Sequence, residues 1–399
     1  MSTTAQDRIH AIDALRGFAL WGIIAVHVTE QFLGGYPPPG MADYAVHAPV
    51  DVWFKAINKS IFLSKFFTIF SLLFGLSFFI QMDRAARRGQ PFAGRFAWRL
   101  VLLFGIGLLH NGFFRGDILT VYALLGLLLI PFQKASDRVL LGTALAIVAG
   151  LPRYLLLGAK LLFFAPRTAA EQAAFETFNF QYFYLAREGG FAELFWRNLH
   201  PGWLMKMEFQ FDLFGRGYLT FALFLFGLWL GRIRFFEWYG EKKKMVWQLF
   251  VAVVCVALAT EPLRKALLAH YDLRSWRTAI GLTIQDIHNL AFSAALVLGF
   301  LLLTLLEKTR KLWLLLAPYG RMALSHYVGQ SILGGFLFFG WGLGLLGKIG
   351  AAQAFLLGQG IFLVQILFSR LWLHSFRYGP LEWLWRSGTY RKWQPLRKE

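Results

Sequence analysis

Residues 12–28, IDALRGFALWGIIAVHV, form a strongly apolar stretch with Asp13 and Arg16 near one end and His27 at the other. On a helix, Asp13 and His27 would lie about 21 Å apart, at 1.5 Å per residue. Arg16 and His27 then fall at about 300° and 320° from Asp13, so the three share one narrow stripe. Because lipid penalises a charge at the middle of a helix by about 2.5–3.5 kcal/mol, the stripe should face protein or water. The plainer alternative is an end-anchoring Asp13–Arg16 pair and a histidine bonded to a neighbouring helix.

The composition around this stretch is that of a membrane protein. The chain has 399 residues, 57% of them hydrophobic, and a mean hydropathy of +0.50. Apolar windows of about 20 residues recur throughout, which predicts an all-α polytopic protein of about ten transmembrane helices. The single cysteine, Cys255, excludes an intrachain disulfide. The predicted spans are 14–33, 60–82, 96–114, 117–133, 139–164, 217–236, 245–260, 287–306, 321–345 and 351–374.

The formal net charge of +19 is distributed in clusters between the predicted spans. Such clusters are typical of cytoplasmic loops that contact anionic lipid, so membrane lipids are the expected partner and nucleic acid is not. This distribution places both termini in the cytoplasm. The basic loop at 261–286 fits this topology least well, and the span count is open by one or two there. The clusters are Arg84, Arg87, Arg88 and Arg95; Arg232, Arg234 and 242–244; Lys308, Arg310 and Lys311; Arg391, Lys392, Arg397 and Lys398.

The spans divide the chain into three parts. Residues 1–164 form an N-terminal bundle of five spans, and 217–399 form a C-terminal bundle of five more with a cytoplasmic tail. Between them, 165–216 is rich in aromatic residues and predicts amphipathic helices on the outer surface. The sequence GGYPPPG at 34–40 predicts a turn. In the tail, GPLEWLWR predicts an interfacial helix in which Glu382 and Arg386 pair.

The third and fourth spans are predicted to form a hairpin, LLHNGFFRGDILTVYALLG. Gly112 and Gly116 permit a tight turn, which leaves His110 and Asp117 on its two shoulders. On the third helix, Arg95, Arg99 and His110 fall within roughly 60° of one another, which gives a second polar stripe.

Two further patterns concern ligands. His326 and Gln330 are i,i+4 neighbours one to two turns inside the predicted cytoplasmic face. Gly342, Gly344 and Gly347 spell GxGxxG, but no strand precedes them, so dinucleotide binding is not expected. The chain has no HExxH motif or nucleophile elbow, and no metal site is predicted.

Five motifs resemble the YeiB-type family of uncharacterised bacterial membrane proteins: IDALRGFALWGI, KFFTIFSLLFG, HNGFFRGDILTVYALLG, GRMALSHYVGQS and YGPLEWLWR. They span residues 12–386 in the expected order. The resemblance implies a bacterial inner-membrane protein. More distantly, the family is similar to transmembrane acyltransferases such as heparan-α-glucosaminide N-acetyltransferase.

That wider resemblance implies that acyl-coenzyme A approaches from the cytoplasm and that its acyl group passes to an acceptor on the far side. A polar residue late in the first helix and a histidine in the following loop then lie at the transfer point, by position His27 and His47. His27 and His326 stand where relatives often carry Asn.

The residues themselves are compatible with acyl transfer. His27, His47 and His110, with Asp117 to orient a base, are the predicted catalytic group. Arg16, Arg95, Arg99 and Arg321 are predicted to hold the phosphates of the coenzyme, and His326 and Gln330 are predicted to belong to the same coenzyme-binding group. Simple lipid anchoring by these arginines is the alternative. The acceptor, a small molecule, glycan or lipid, is not specified, and a homo-oligomer is possible. The rival functions are a transporter or lipid flippase, and a non-catalytic lipid-binding scaffold.

Overall fold

The fold is helical. The computed structural model describes residues 5–33 and 43–398, and 79% of these described residues are helical. Within the described residues the extended pairing is one isolated bridge, between Phe376 and Arg397. The turn predicted at 34–40 lies outside the described residues. The helices are α1 Ala5–Val26, α2 Pro49–Ile57, α3 Phe66–Arg87, α4 Ala93–Phe113, α5 Leu119–Leu129, α6 Asp137–Val148, α7 Leu151–Phe163, α8 Ala169–Glu188, α9 Phe191–Leu199, α10 Gly202–Phe211, α11 Arg216–Arg232, α12 Phe235–Trp238, α13 Lys243–Leu268, α14 Trp276–Thr304, α15 Glu307–Leu314, α16 Ala317–Arg321, α17 Ala323–Phe338, α18 Ala351–Ser375 and α19 Pro380–Tyr390.

Among the described residues, six helical segments are long and apolar enough to cross a membrane. The number rises to eight when each of two bent helix pairs counts as one span. The prediction of a membrane protein is confirmed, whereas the count of ten and the cytoplasmic termini are not. The span predicted at 321–345 is short: its helix α17 has 16 residues, or about 24 Å of helix against a hydrocarbon core of about 30 Å. The six segments are His10–Gln31, Pro49–Arg87, Ala93–Phe113, Lys243–Leu268, Trp276–Thr304 and Ala351–Ser375.

The bent pairs explain part of the difference in count. The span predicted at 139–164 is α6 and α7, which meet at 49°. Gly150 lies at the bend with φ of +89°, a left-handed conformation that glycine adopts without steric cost. The segment 165–216 contains α8, α9 and α10, and the stretch Phe191–Phe211 makes an angle of 64° with α11.

Helix α1 lies at the centre of the bundle. In the most apolar window of His10–Gln31, 83% of residues are buried inside the protein, against 11% for the window in α13 and 22% for that in α18. The backbones of α1 and α16 touch, since a Cβ on Gly320 would lie 1.8 Å from the carbonyl oxygen of Asp13. Small residues permit such close contacts between helices in membranes. Of the polar stripe of α1, Asp13 and His27 are buried inside the protein, and Arg16 is partly buried.

Candidate functional site

The turn between α4 and α5 brings His110 and Asp117 together. The Nδ1 atom of His110 lies 2.8 Å from Oδ1 of Asp117, and both side chains are fully buried. Asp117 also caps the start of α5, because its two oxygens accept hydrogen bonds from the backbone N–H groups of Leu119 (3.0 Å) and Thr120 (3.1 Å). A carboxylate is favoured at the positive end of a helix. The two residues that were predicted on the shoulders of this hairpin are therefore in contact in the structure.

The surroundings of Asp117 favour its ionised form. Burial by itself raises the pKa of the carboxyl, but the hydrogen bond and charge of His110, the charge of Lys206 and the backbone of Thr120 outweigh burial and leave the pKa lowered. Asp117 therefore acts as a hydrogen-bond acceptor for its neighbours. In the neutral imidazole whose Nδ1–H donates to Asp117, the Nε2 atom of His110 is left as an acceptor.

A lysine from the segment 165–216 completes this site. The Nζ atom of Lys206, in α10, donates to Oδ1 of Asn111 at 2.6 Å and to Oγ1 of Thr120 at 2.9 Å, and lies 3.4 Å from Oδ2 of Asp117. We call the five residues His110, Asn111, Asp117, Thr120 and Lys206 the His110 cluster. Buried charges are tolerated when they are paired and hydrogen-bonded, as Asp117 and Lys206 are here.

The last turn of α9 closes one side of the cluster. The side-chain amide of Asn111 donates to the backbone carbonyl of Asn198 at 2.6 Å. The side-chain amide of Asn198 donates in return to the backbone carbonyl of Gly112 at 2.9 Å. The sequence did not single out Asn111, Asn198 or Lys206. The amphipathic pattern of 165–216 contains no signal that its single lysine points into the bundle.

His27 lies beside the cluster and is also buried. Its ring centroid is 4.8 Å from that of Phe114 and 5.9 Å from that of Tyr327; His110 contacts the same two rings, at 6.0 and 5.0 Å. From His27 to Gln31 the chain forms a π-helical turn, a distortion frequent at functional sites. The Nδ1 atom of His27 and the Nε2 atom of His110 are buried without a hydrogen-bond partner. Buried polar atoms in this state call for a ligand or water.

A cavity of about 430 Å³ leads towards these histidines. Tyr327 and Ile118 line the end of the cavity nearest the histidines, where the backbone N–H of Ile118 donates to the Tyr327 hydroxyl at 3.1 Å. The histidines lie behind Tyr327 and do not line the cavity themselves. The remaining lining residues are Ile12, Asp13, Arg16, Ile23, Phe67, Phe70, Leu73, Phe74, Ser77, Ile80, Gln81, Arg84, Phe96, Arg99, Leu100, Leu103, Leu119, Tyr122, Gly320, Arg321, Ala323, Leu324, Glu382 and Trp385.

The other end of the cavity is strongly basic. Arg16, Arg84, Arg99 and Arg321 line it, three of which belong to the predicted coenzyme-binding group. Arg16 is held in place by Asp13 at 2.5 Å and by the Ser77 hydroxyl at 2.8 Å. Contacts from α1 and α3 thus fix Arg16 in the cavity wall.

Helix α19 closes the basic end. Oε1 of Glu382 accepts hydrogen bonds from the backbone N–H groups of Leu324 (2.6 Å) and Ser325 (3.0 Å), so this carboxyl caps α17. The predicted pair of Glu382 with Arg386 is therefore not what the structure shows. Burial raises the pKa of Glu382, against the effect of those hydrogen bonds. The ring of Trp385 lies 3.5 Å from the guanidinium of Arg99.

The other predicted site residues lie elsewhere. His47 is exposed and bonded to the backbone oxygen of Tyr44 at 2.8 Å. Arg95 donates to Gln90 and lies over the ring of Tyr390, outside the cavity wall. His326 and Gln330 form a separate buried group, the His326 cluster, with Tyr319, Gln365 and Ser369: Nε2 of His326 lies 2.6 Å from the Ser369 hydroxyl, and Gln330 donates to Tyr319 at 2.7 Å and to Gln365 at 3.2 Å.

Fold and site together define an all-helical membrane protein with a buried histidine–carboxylate pair near a basic cavity. Residues 230–392 match a family described as protein of unknown function (DUF418). The chain is 30% identical to an uncharacterised 39.9 kDa protein of Bacillus acidopullulyticus, over 98% of this chain and 96% of that protein. It is 29% identical to the uncharacterised protein YxaH of Bacillus subtilis (100% and 98% covered) and 28% identical to the uncharacterised protein YeiB of Escherichia coli (97% of each). The chain belongs to this YeiB-type family, as the sequence motifs predicted.

Proposed function

We propose that this chain is an integral-membrane acyltransferase that takes an acyl group from acyl-coenzyme A and transfers it to an acceptor at the opposite face of the membrane. One observation carries the proposal: a cavity lined by four arginines at one end leads to a tyrosine that contacts two buried histidines at the other. Coenzyme A is an elongated molecule with phosphates at one end and a thiol at the other. The arginine-lined end of the cavity matches the phosphates of the coenzyme, and the end near the histidines matches its acylated thiol.

The distances along α1 suit this donor. Arg16 and His27 are eleven residues apart, or about 17 Å of helix, roughly the reach of an extended pantetheine arm. Arginine guanidinium groups bind phosphate through charge-assisted, often bidentate hydrogen bonds. The phosphates would lie at Arg16, Arg99 and Arg321, and the thioester would reach towards Tyr327.

His110 is the proposed general base. Asp117 fixes its ring through Nδ1, and the unpartnered Nε2 takes the proton from the hydroxyl or amine of the acceptor as that group attacks the thioester carbonyl. The carbon–sulfur bond breaks, and the protonated His110 returns the proton to the departing thiolate. Tyr327 stands between the cavity and His110, so its side chain must turn aside for the thioester to arrive.

The basic end of the cavity is proposed to face the cytoplasm of a bacterial cell, under the positive-inside rule. A cysteine in place of Arg88 and one in place of Lys348, each in a Cys255→Ser background, test this topology. Membrane-impermeant reagents should label the two positions from opposite faces, and labelling of both from one face contradicts the proposal.

Purified full-length protein in lipid vesicles, supplied with acyl-coenzyme A labelled in the acyl group, tests the function. The proposal expects protein-dependent release of the coenzyme thiol. The label should be recovered on an acceptor or, where water takes its place, as the free carboxylic acid. Acyl chains from acetyl to palmitoyl cover the donor range. Binding of the donor without thiol release at any chain length contradicts acyl transfer and favours the transporter or scaffold alternative.

A further inference from the structure

A second cavity, of about 390 Å³, lies on the outside of the bundle between α4 and α19. Its floor comes from α4, one side from α19, and its mouth from the residues that follow α19. Trp385 lines both this groove and the arginine-lined cavity, so one side chain forms the wall between them. We call it the α4–α19 groove; it is lined by Leu102, Ile106, Leu384, Trp385, Ser387, Gly388, Arg391, Lys392 and Trp393.

The floor of the groove continues along a face of α4 that is open to lipid. Trp98, Leu102, Ile106 and Leu109 follow one another at intervals of four, four and three residues, which places them on one side of a helix. Leu109, at the far end, is 66% exposed. From Trp98 to Leu109 this face is about 17 Å long, a little over half of a hydrocarbon core of about 30 Å. A single lipid acyl chain fits that length.

The mouth of the groove is basic and aromatic. Arg391 and Lys392 are exposed, and the guanidinium of Arg391 lies 5.1 Å from the ring centroid of Trp98. Trp393 is 70% exposed. Tryptophan is enriched at the membrane–water interface, and basic residues there attract anionic head groups. None of the nine lining residues is acidic.

The mouth is held in a defined shape by the chain after α19. Arg391 adopts a left-handed conformation, with φ of +51°, and the chain turns back on the helix. Both backbone polar groups of Gln394 are then hydrogen-bonded. Its N–H donates to the Ser387 hydroxyl at 3.1 Å, and its carbonyl accepts from the indole of Trp383 at 2.8 Å. Trp393 stacks on Trp383 with centroids 5.0 Å apart. The basic residues are thereby presented at the rim.

We propose that the α4–α19 groove binds an anionic phospholipid, with one acyl chain along the Trp98–Leu109 face of α4 and the phosphate at Arg391 and Lys392. The acyl chain accounts for the apolar floor, and the phosphate accounts for two cations in a lining that contains no acidic residue. The proposal does not depend on the acyl-transfer function.

Native mass spectrometry of the full-length protein, extracted from vesicles of phosphatidylcholine and phosphatidylglycerol in a 3:1 ratio, tests it. The wild-type protein should retain one phosphatidylglycerol molecule in preference to phosphatidylcholine. The double variant Arg391→Gln/Lys392→Gln should lose that preference, with affinity lower by about tenfold or more. Leu384→Trp, which fills the groove without a change of charge, should lose the bound lipid altogether.

The matched control is Lys243→Gln/Lys244→Gln, which removes two exposed positive charges from the start of α13, another basic end of the bundle. It should retain phosphatidylglycerol as the wild type does. Equal retention of both lipids by the wild type, or an undiminished preference in the Arg391/Lys392 variant, overturns the proposal. Loss of the lipid in the control as well shows only a response to net charge and overturns it too.

Discussion

Two of the buried histidines, His110 and His326, have different surroundings. In the His326 cluster, the histidine meets neutral groups: Ser369 on its ring and the amide of Gln365 on its backbone oxygen. In the His110 cluster, the histidine meets a carboxylate, which is itself near a buried lysine. His326 joins α17 to α18, and that linkage is sufficient reason for its presence. His110 has an unpartnered ring nitrogen, and fold stability gives no reason for that.

The difference shows that burial alone does not mark a functional histidine. Both residues are at least nine-tenths shielded, 2% exposed for His110 and 3% for His326. What separates them is the charged partner, the unsatisfied atom and the cavity that ends at a ring contacting His110 and His27. These three features together support catalysis at His110 and a structural role for His326.

The largest effect is expected for His110→Asn. Loss of a general base typically lowers a rate by about 10²–10⁴-fold, so the turnover of acyl-coenzyme A should fall by that factor while donor binding stays within about twofold. Steady-state release of the coenzyme thiol and equilibrium binding of the donor, on the same preparation, measure both. His374→Asn, at an exposed position near the end of α18, is the matched control and should behave as the wild type. Wild-type turnover in His110→Asn would remove the residue from the site.

Lys206→Met should destabilise the fold by about 3 kcal/mol. The substitution leaves the Asp117 carboxylate and the amide oxygen of Asn111 without their buried cation, and breaking a buried pair by removal of one partner is costly. Thermal or denaturant unfolding in detergent measures the loss. Lys348→Met, at an exposed position, should change stability by less than about 0.5 kcal/mol. Equal stability of the two variants would mean that Lys206 contributes nothing to the His110 cluster.

Arg16→Gln should weaken donor binding by about tenfold and leave the rate at saturating donor within about threefold. A charge-assisted hydrogen bond to phosphate contributes roughly 1.5–3 kcal/mol. Arg88→Gln removes an exposed arginine near the end of α3, outside the cavity wall, and serves as the control. A lower saturated rate with unchanged donor affinity would place Arg16 at the chemical step, contrary to the proposed polarity.

The smallest effect is expected for His326→Asn. The substitution removes the hydrogen bond to Ser369, and a typical buried hydrogen bond contributes about 1 kcal/mol to stability. Unfolding should therefore be easier by about that amount, while turnover per folded molecule stays within about threefold. A loss of turnover as large as that in His110→Asn would erase the contrast between the two clusters.

The sequence predicted what depends on local spacing. The stripe of Asp13, Arg16 and His27 follows from helical periodicity, and Arg16 is in the cavity wall with Asp13 as its partner. His110 and Asp117 are seven residues apart across a glycine-flanked turn, so their proximity was also predictable. These predictions needed no knowledge of which helices are neighbours.

What depends on long-range packing was not predictable. Lys206 lies 89 residues from Asp117 in the chain, and hydropathy does not indicate which polar side chain of an amphipathic segment turns inward. Arg95 and Arg99 share a helix face in projection, yet only Arg99, one turn further along, lines the cavity. The ten-span count came from hydropathy, which does not show that Gly150 bends one predicted span or that α17 is short.

The central claim is that an acyl donor lies along the cavity with its acyl end towards His110 and its phosphates at the arginines. Photo-crosslinking with acyl-coenzyme A that carries a diazirine at the end of a short acyl chain, followed by peptide mapping, tests it most directly. The account predicts crosslinks at Tyr327 and Ile118, reduced by excess unlabelled donor and shifted little in Arg88→Gln. Competed crosslinks confined to lipid-facing positions of α13, with none in α1, α4, α5 or α17, would contradict it.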